Sequence, residues 1–318
     1  MGPVGTRGPE LVTLGETMAA LAPDRIGPLR HARRLDLSLA GSESTVAIGV
    51  RRLGHRAAWI GRLGDDELGG LVRATLRAEG VEVHATTDPS APTGLMLKER
   101  RTADIRRVHY YRTGSAGSRL GPADLPDGLI ESARILHVGA ITPALSPSAA
   151  QTVREAIQRA GFVSFDANFR SRLWSAEQYR QCVVALMPFV DLMFASLDEA
   201  QILLGSRESD PHALAEALRE TAVPAAVVLT MGRRGALTAD AAGVHPITAE
   251  TVTEIDPVGA GDSFVAGYLS AVLDGAETRA RLEKASRAAA FSVSADGDWE
   301  GLPTAAELTW ANTTDISR

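Results

Sequence analysis

The stretch Asp256-Pro257-Val258-Gly259-Ala260-Gly261-Asp262-Ser263-Phe264, followed by the apolar run Val265 to Asp274, decides how this chain is read. Gly259 and Gly261 let the backbone turn tightly and approach a ligand with no Cβ in the way. The apolar run reads as a helix, so the turn lies at its N-terminus. Free N–H groups and the positive end of the helix dipole gather there and favour an anion. Asp262 falls in the same turn as a ready proton acceptor. An anion hole beside a base suits phosphoryl transfer to a hydroxyl. Taken alone, an Asp in a first helical turn and an Asp-Pro turn are ordinary features.

The 318 residues allow one large domain or two smaller ones, with enough apolar content for a core. A formal charge of -6 argues against a general nucleic-acid binder. The apolar runs are too short to span a bilayer. Met1 to Glu10 is Gly/Pro-rich without an apolar h-region, and reads as a disordered tail rather than a signal peptide. Cys182 stands alone, which excludes an internal disulfide and fits a reducing, cytoplasmic setting. Lysine occurs only at 98 and 284. No G-x-x-x-x-G-K string followed by Ser or Thr exists, so a P-loop kinase is excluded. The absence of G-x-G-x-x-G after an early strand weighs against a nicotinamide oxidoreductase.

Leu11 to Leu14 reads as a first strand, and residues 17–40 as hairpin-like excursions. Gly41 to Leu53 reads as loop and helix, Ala57 to Ile60 as a buried strand, Glu67 to Ala78 as a helix closed by Gly80, and Val81 to His84 as a strand. Period-two patterning over Thr93 to Arg100 and Ile105 to Arg112 argues a hairpin with one wet face. From Ile135 onward short apolar strands alternate with helical stretches near 149–160, 175–187 and 211–222. The strands are Ile135 to Val138, Phe162 to Phe165, Leu192 to Ala195 and Val227 to Thr230. That alternation argues an α/β fold: a mostly parallel sheet covered by helices on both faces. Ligands bind such sheets beyond the carboxyl ends of the strands. The expectation is one domain, 11–318, with a small β lid from residues 15–40 and 92–113.

A second string, Gly61-Arg62-Leu63-Gly64-Asp65-Asp66-Glu67-Leu68-Gly69, reads by itself as a turn and a capped helix start. Together with Asp256 to Phe264 it resembles the paired signatures of the ribokinase (PfkB) family of carbohydrate kinases, and the resemblance runs from about residue 11 to 308. It implies a ribokinase-like fold and ATP as phosphoryl donor. It also implies that the amides of Gly259, Ala260 and Gly261 form the anion hole and that Asp262 is the base. Thr230-Met231-Gly232-Arg233-Arg234-Gly235 matches the loop that lies along the nucleotide, which gives Thr230, Gly232, Arg233 and Gly235 that role.

A helix N-terminus contributes roughly 0.3–2 kcal/mol to holding an anion and a general base about 10²–10⁴-fold. Enzymes commonly need ~8 kcal/mol or more, so a divalent ion on the nucleotide, Mg2+, is expected. The resemblance implies a site for it at Ser196-Leu197-Asp198-Glu199, held indirectly through Glu199, where Ser196 replaces the usual Asn. A monovalent cation such as K+ is a further cofactor of the family.

Tyr110 to Ser118, Gly139 to Pro147 and Asp166 to Trp174 resemble the branch of that family acting on 2-keto-3-deoxygluconate. Guanidinium forks suit the carboxylate of a sugar acid. The resemblance implies acceptor contacts from Gly41, Ser42, Thr45, Tyr110, Arg112, Ile141, Arg170 and Asp298, besides Asp262. Asn168 and Arg170 are implied near the nucleotide. The expected activity is phosphorylation of the 6-hydroxyl of that acid. Thr45 and Met96 depart from the family pattern, each removing a polar contact, so fructose, ribose or another keto-acid remains an alternative acceptor. A non-catalytic sugar or nucleotide sensor is the reading from another class, disfavoured by the intact Gly-Ala-Gly-Asp. An apolar outer lid face implies a homodimer through the lid, or a higher homo-oligomer.

Overall fold

The computed structural model describes residues 8–102, 105–222 and 225–310. In chain order, β1 (Leu11–Leu14), β2 (Met18–Pro23), β3 (Leu35–Ala40), α1 (Ser42–Arg52), β4 (Ala57–Gly64), α2 (Glu67–Ala78) and β5 (Glu82–Asp88) form the N-terminal part. Then come β6 (Leu95–Arg100), β7 (Arg106–Tyr111), α3 (Leu129–Ser132), β8 (Ile135–Gly139), α4 (Pro147–Arg159), β9 (Val163–Asp166), α5 (Ala176–Leu186) and β10 (Leu192–Ser196). The chain closes with α6 (Leu197–Leu204), α7 (Pro211–Ala222), β11 (Ala226–Thr230), β12 (Ala236–Asp240), β13 (Gly243–Ile247), α8 (Ala260–Leu273) and α9 (Thr278–Val293).

The main sheet runs β13-β12-β11-β10-β9-β8-β1-β4-β5. It is parallel from β11 to β5, and β12 and β13 are added antiparallel at one edge. Alternate side chains of each strand enter different cores, as period-two geometry requires. Val12, Leu14, Ile60 and Val138 pack with residues of α4 to α7. Leu11, Ala57, Trp59 and Ile135 pack with α1, α2, α8 and α9. The mostly parallel, doubly covered sheet expected from the sequence is therefore present. Asp66 caps α2 by accepting from the Gly69 N–H at 2.7 Å, and Gly80 ends the turn after it at a φ of 76°, which favours glycine.

A second sheet, β3-β2-β6-β7, stands apart as the lid. Its two hairpins are antiparallel and are joined by parallel pairing of β2 with β6. Residues 103 and 104, in the turn expected between β6 and β7, lie outside the described residues, as do 1–7 of the expected N-terminal tail. Glu10 is tied down, receiving the Arg56 N–H at 3.2 Å. Among the described residues no helix is long and apolar enough to cross a membrane.

Candidate active site

Gly259 sits at the N-cap of α8 with φ 81°, the left-handed region where a side chain is strained. A Cβ there would also lie 2.2 Å from the Asp298 carbonyl oxygen. Glycine is needed on both counts, and the contact presses the segment carrying Asp298 onto the start of α8. Ala260 and Gly261 open the helix, and a Cβ on Gly261 would meet nothing within 4 Å, so the amide-rich turn has open space beside it. Asp262 follows in the first turn. The rest of α8 is buried, and the Ser263 hydroxyl anchors it by donating to Ala288 O at 2.8 Å.

The lid and the carboxyl ends of the strands enclose a cavity of about 620 Å³. All nine residues expected to touch the acceptor line it: Gly41, Ser42, Thr45, Tyr110, Arg112, Ile141, Arg170, Asp262 and Asp298. Ser42 donates its hydroxyl to Asp262 Oδ1 at 2.5 Å and accepts from Asn168 Nδ2 at 3.0 Å. Asn168 also donates to Asp166 Oδ2 at 3.0 Å, from a backbone held at φ 34°. A polar chain thus runs from the end of β9, across the start of α1, to Asp262. Arg112 lies 5.6 Å above the Tyr110 ring.

Burial pushes Asp262 above the ordinary carboxylate range, and the Ser42 hydroxyl works against that shift. Burial raises Asp298 to about 6 despite the neighbouring Lys98 ammonium, and Glu43 to about 7. Asp166 rises well above its usual value through burial and the nearby charges of Glu199 and Asp262. Carboxyls crowded in one buried site disfavour each other's ionisation, so the site is suited to ligand hydroxyls that donate hydrogen bonds.

Of the residues expected along the nucleotide, Arg170 and Gly259 line this cavity, and the loop residues lie elsewhere. Thr230, Gly232, Arg233 and Gly235 form the β11–β12 connection, closed by the Met231 N–H donating to Gly235 O at 2.8 Å. They do not line the cavity beneath the lid. Arg233 pairs with Glu254 at 2.9 Å, which ties this loop to the segment leading into Asp256. Glu199 belongs to a capping box: its oxygens receive the Phe169 N–H at 2.6 Å and the Ser196 N–H at 2.7 Å.

Three cavity-lining residues, Glu16, Glu43 and Lys98, and one lid arginine, Arg106, were missed in the sequence. Glu16, 1% exposed, pairs with Arg112 at 2.5 Å, so the guanidinium is charge-compensated. Glu43 accepts from the Thr142 hydroxyl at 3.2 Å. Lys98 bonds Asp298, and Arg106 bonds Asp256 and Ile255 O, linking lid strands to the wall around α8. The scarcity of lysine was a usable signal for Lys98; the other three carried none.

Residues 9–305 match the pfkB family carbohydrate kinase pattern. Over 303 residues the chain is 39% identical to the 2-dehydro-3-deoxygluconokinase of Thermoproteus tenax, covering 93% of this chain and 92% of that one. A PfkB protein from Polaromonas sp. JS666 superposes with a TM-score of 0.86 at 35% identity, covering 96% of this chain and 100% of its own. A fructokinase from Vibrio cholerae O395, solved in a fructose, ADP and calcium ion bound form, superposes with a TM-score of 0.82 at 27% identity, over 94% and 97%. The chain belongs to the pfkB family of carbohydrate kinases, phosphotransferases with an alcohol group as acceptor.

Proposed function

We propose that this kinase moves the γ-phosphoryl group of ATP onto the 6-hydroxyl of 2-keto-3-deoxygluconate. The observation that carries this reading is the meeting of Asp262, beside the amides of Gly259 to Gly261, with the guanidinium groups of Arg112 and Arg170 in one cavity. Asp262 takes the proton of the acceptor hydroxyl. The amides of Gly259, Ala260 and Gly261 stabilise the charge that develops on the transferred group. Arg170 and Arg112 orient the acid end of the acceptor, and Tyr110 walls it. Thr45 and Ile141 line the same cavity, and the lid keeps out water that would otherwise compete as acceptor.

The donor fits the chain's own features. Gly259 presents amides where a Cβ is forbidden, and Gly235 lies at φ 101° with its Cβ position 1.9 Å from Ile247 O. Thr230, Gly232, Arg233, Gly235 and Asn168 are assigned to the nucleotide side. The fructokinase neighbour's bound ADP and calcium ion support a nucleotide with a divalent cation. Among the described residues no cluster of three or more His, Cys, Asp or Glu could hold a metal. Both Glu199 oxygens already receive backbone N–H groups. The residues therefore fit a hydrated Mg2+ carried on the nucleotide, with Glu199 acting through water. When bound, the ion offsets phosphate charge. K+ is assigned no residue.

A second reading, a kinase for a neutral sugar such as fructose or ribose, is favoured by one observation: Glu16 already compensates Arg112. A coupled ADP-release assay over sugars and sugar acids decides. Turnover of 2-keto-3-deoxygluconate well above fructose and ribose is expected, and the reverse order overturns the proposal. We further infer one kinase domain over 11–318 and a homodimer through the lid. Its outer face exposes Leu35, Leu37 and Tyr111.

A further inference from the structure

Lys98 has a setting unlike that of the chain's other lysine. Lys284 bonds Ser270 and Asp274 between α8 and α9. Lys98 projects from lid strand β6 into the cavity. Along the same face of the lid, Met18, Ala20, Ala40 and Met96 make an apolar cluster, so the ammonium is set into a stretch with little else to bond. Its Nζ lies 2.5 Å from Asp298 Oδ1, with the two side chains 14% and 8% exposed. That contact uses one of three ammonium hydrogens and one of two carboxylate oxygens. Among the described residues, neither Nζ nor Asp298 Oδ2 makes another hydrogen bond. The partners have different anchors. Asp298 is pressed by its carbonyl against Gly259, beside the start of α8. Lys98 belongs to the lid.

We propose that Lys98, paired with Asp298, is a specificity-determining residue that reads two neighbouring hydroxyl groups of the acceptor. The ammonium donates to the oxygen of one hydroxyl, and Asp298 Oδ2 accepts the proton of the next. A carboxylate at this spot would satisfy Lys98 but bring like charge against Asp298. A lone keto oxygen would leave Oδ2 empty. Only a stretch carrying both an acceptor and a donor completes the pair. The acid end of the acceptor is thereby directed toward Arg112 and Arg170, and its hydroxyl-bearing middle lies under β6. An acceptor with a missing or inverted hydroxyl leaves one of the two charged groups unfilled in a largely buried site, which a polar site rejects strongly. Burial, which lifts the Asp298 carboxyl despite the ammonium, makes a ligand donor there more valuable.

This deepens the sugar-acid reading and rests on it only for the choice of acceptors. The test measures kcat and KM of wild type, Lys98→Met and Lys98→Arg. The acceptors are 2-keto-3-deoxygluconate, its C4 epimer and its 5-deoxy analogue, with fructose and its C4 epimer as a neutral pair. Wild type is expected to separate the epimers in kcat/KM. Lys98→Met is expected to lose about 10–100-fold in kcat/KM on the preferred epimer, chiefly through KM, and to narrow the epimer ratio toward one. Lys98→Arg keeps the charge and donors and should retain most of the ratio. Thermal unfolding checks each variant; if Lys98→Met does not fold, Asp298→Asn is expected to narrow the ratio in the same way.

An equal loss on every acceptor with the ratio unchanged overturns the proposal, because Lys98 would then only prop the lid. An undiminished kcat/KM, or a wild type indifferent to all these acceptors' differences, overturns it as well. Failure of the sugar-acid reading shows in wild type alone, as turnover of the neutral sugars without the acids. The ratio within the neutral pair then still judges Lys98.

Discussion

Ser42 donates its hydroxyl to Asp262 Oδ1 at 2.5 Å and has its own oxygen engaged by Asn168 at 3.0 Å. One carboxylate oxygen is thus held by the protein, and Oδ2 has no hydrogen-bond partner among the described residues. In the proposed reaction Oδ2 is the atom that takes the proton. Removing a donor to the charged form raises a carboxyl pKa. Ser42→Ala should therefore shift the acid limb of the kcat pH profile to higher pH and lower kcat about 10-fold or more, in line with a lost hydrogen bond to a charged group. An unmoved acid limb would reassign Ser42 to a passive role.

Asp262→Asn tests the base directly. It should fold as wild type by circular dichroism and lose at least ~10²-fold in kcat, the lower end of what a general base contributes. A nearly unchanged rate would remove Asp262 from that role.

Arg112 and Glu16 form a pair in which Glu16 is 1% exposed. Arg112→Ala should raise KM for the sugar acid by about 10-fold or more, and little for a neutral sugar. It also leaves Glu16 buried without a counter-charge, which costs about 3–5 kcal/mol. The double variant Arg112→Ala/Glu16→Gln should recover much of the lost Tm and none of the KM. Recovery of both would show that the guanidinium only neutralises Glu16.

Glu43 is fully buried and burial raises its carboxyl to about 7, above an unfolded value of 4.5. Between those values the folded state holds a proton that the unfolded chain has released. Its contribution is present below pH 4.5 and is lost as pH rises through about 7, on the order of 3 kcal/mol by linkage. Asp298, raised to about 6, acts in the same direction. The wild-type Tm should fall between pH 5 and about 8. Glu43→Gln should flatten that slope, and a parallel slope in the variant would contradict the assignment.

Leu37 is 50% exposed and Tyr111 63%, both on the outer side of the lid. If that face joins two copies, Leu37→Asp should shift the mass in sedimentation from dimer to monomer at micromolar concentration. A wild type that sediments as a monomer removes the lid contact from the account.

The central architecture was readable because local chemistry and tertiary need agree there. Asp66 and Gly80 bracket α2, and continuous apolar runs mark strands buried on both faces. Edges were harder. β4 runs on to Gly64 through Gly61 and Arg62, and β5 extends to Asp88 through two threonines, because β5 pairs on one side and needs no apolar run. β13 carries Pro246, which an outer strand tolerates. The acceptor side of the site was legible as motifs. Its charge partners were not: Glu16 and Glu43 look like surface acids until Arg112 and Ser115 close over Glu16, and Gly139 and Thr142 over Glu43.

The lid has one more consequence. Its strands leave the main sheet in two excursions, β2–β3 after β1 and β6–β7 after β5, and their strands join through the parallel seam between β2 and β6, with the Gly27 N–H donating to Arg100 O beside it. No single cut-and-paste of contiguous chain can transplant it. A chimera meant to carry acceptor preference from one relative to another would need both excursions from the same parent. Mixing parents would leave Met18, Ala20 and Met96 facing a ceiling shaped for different neighbours.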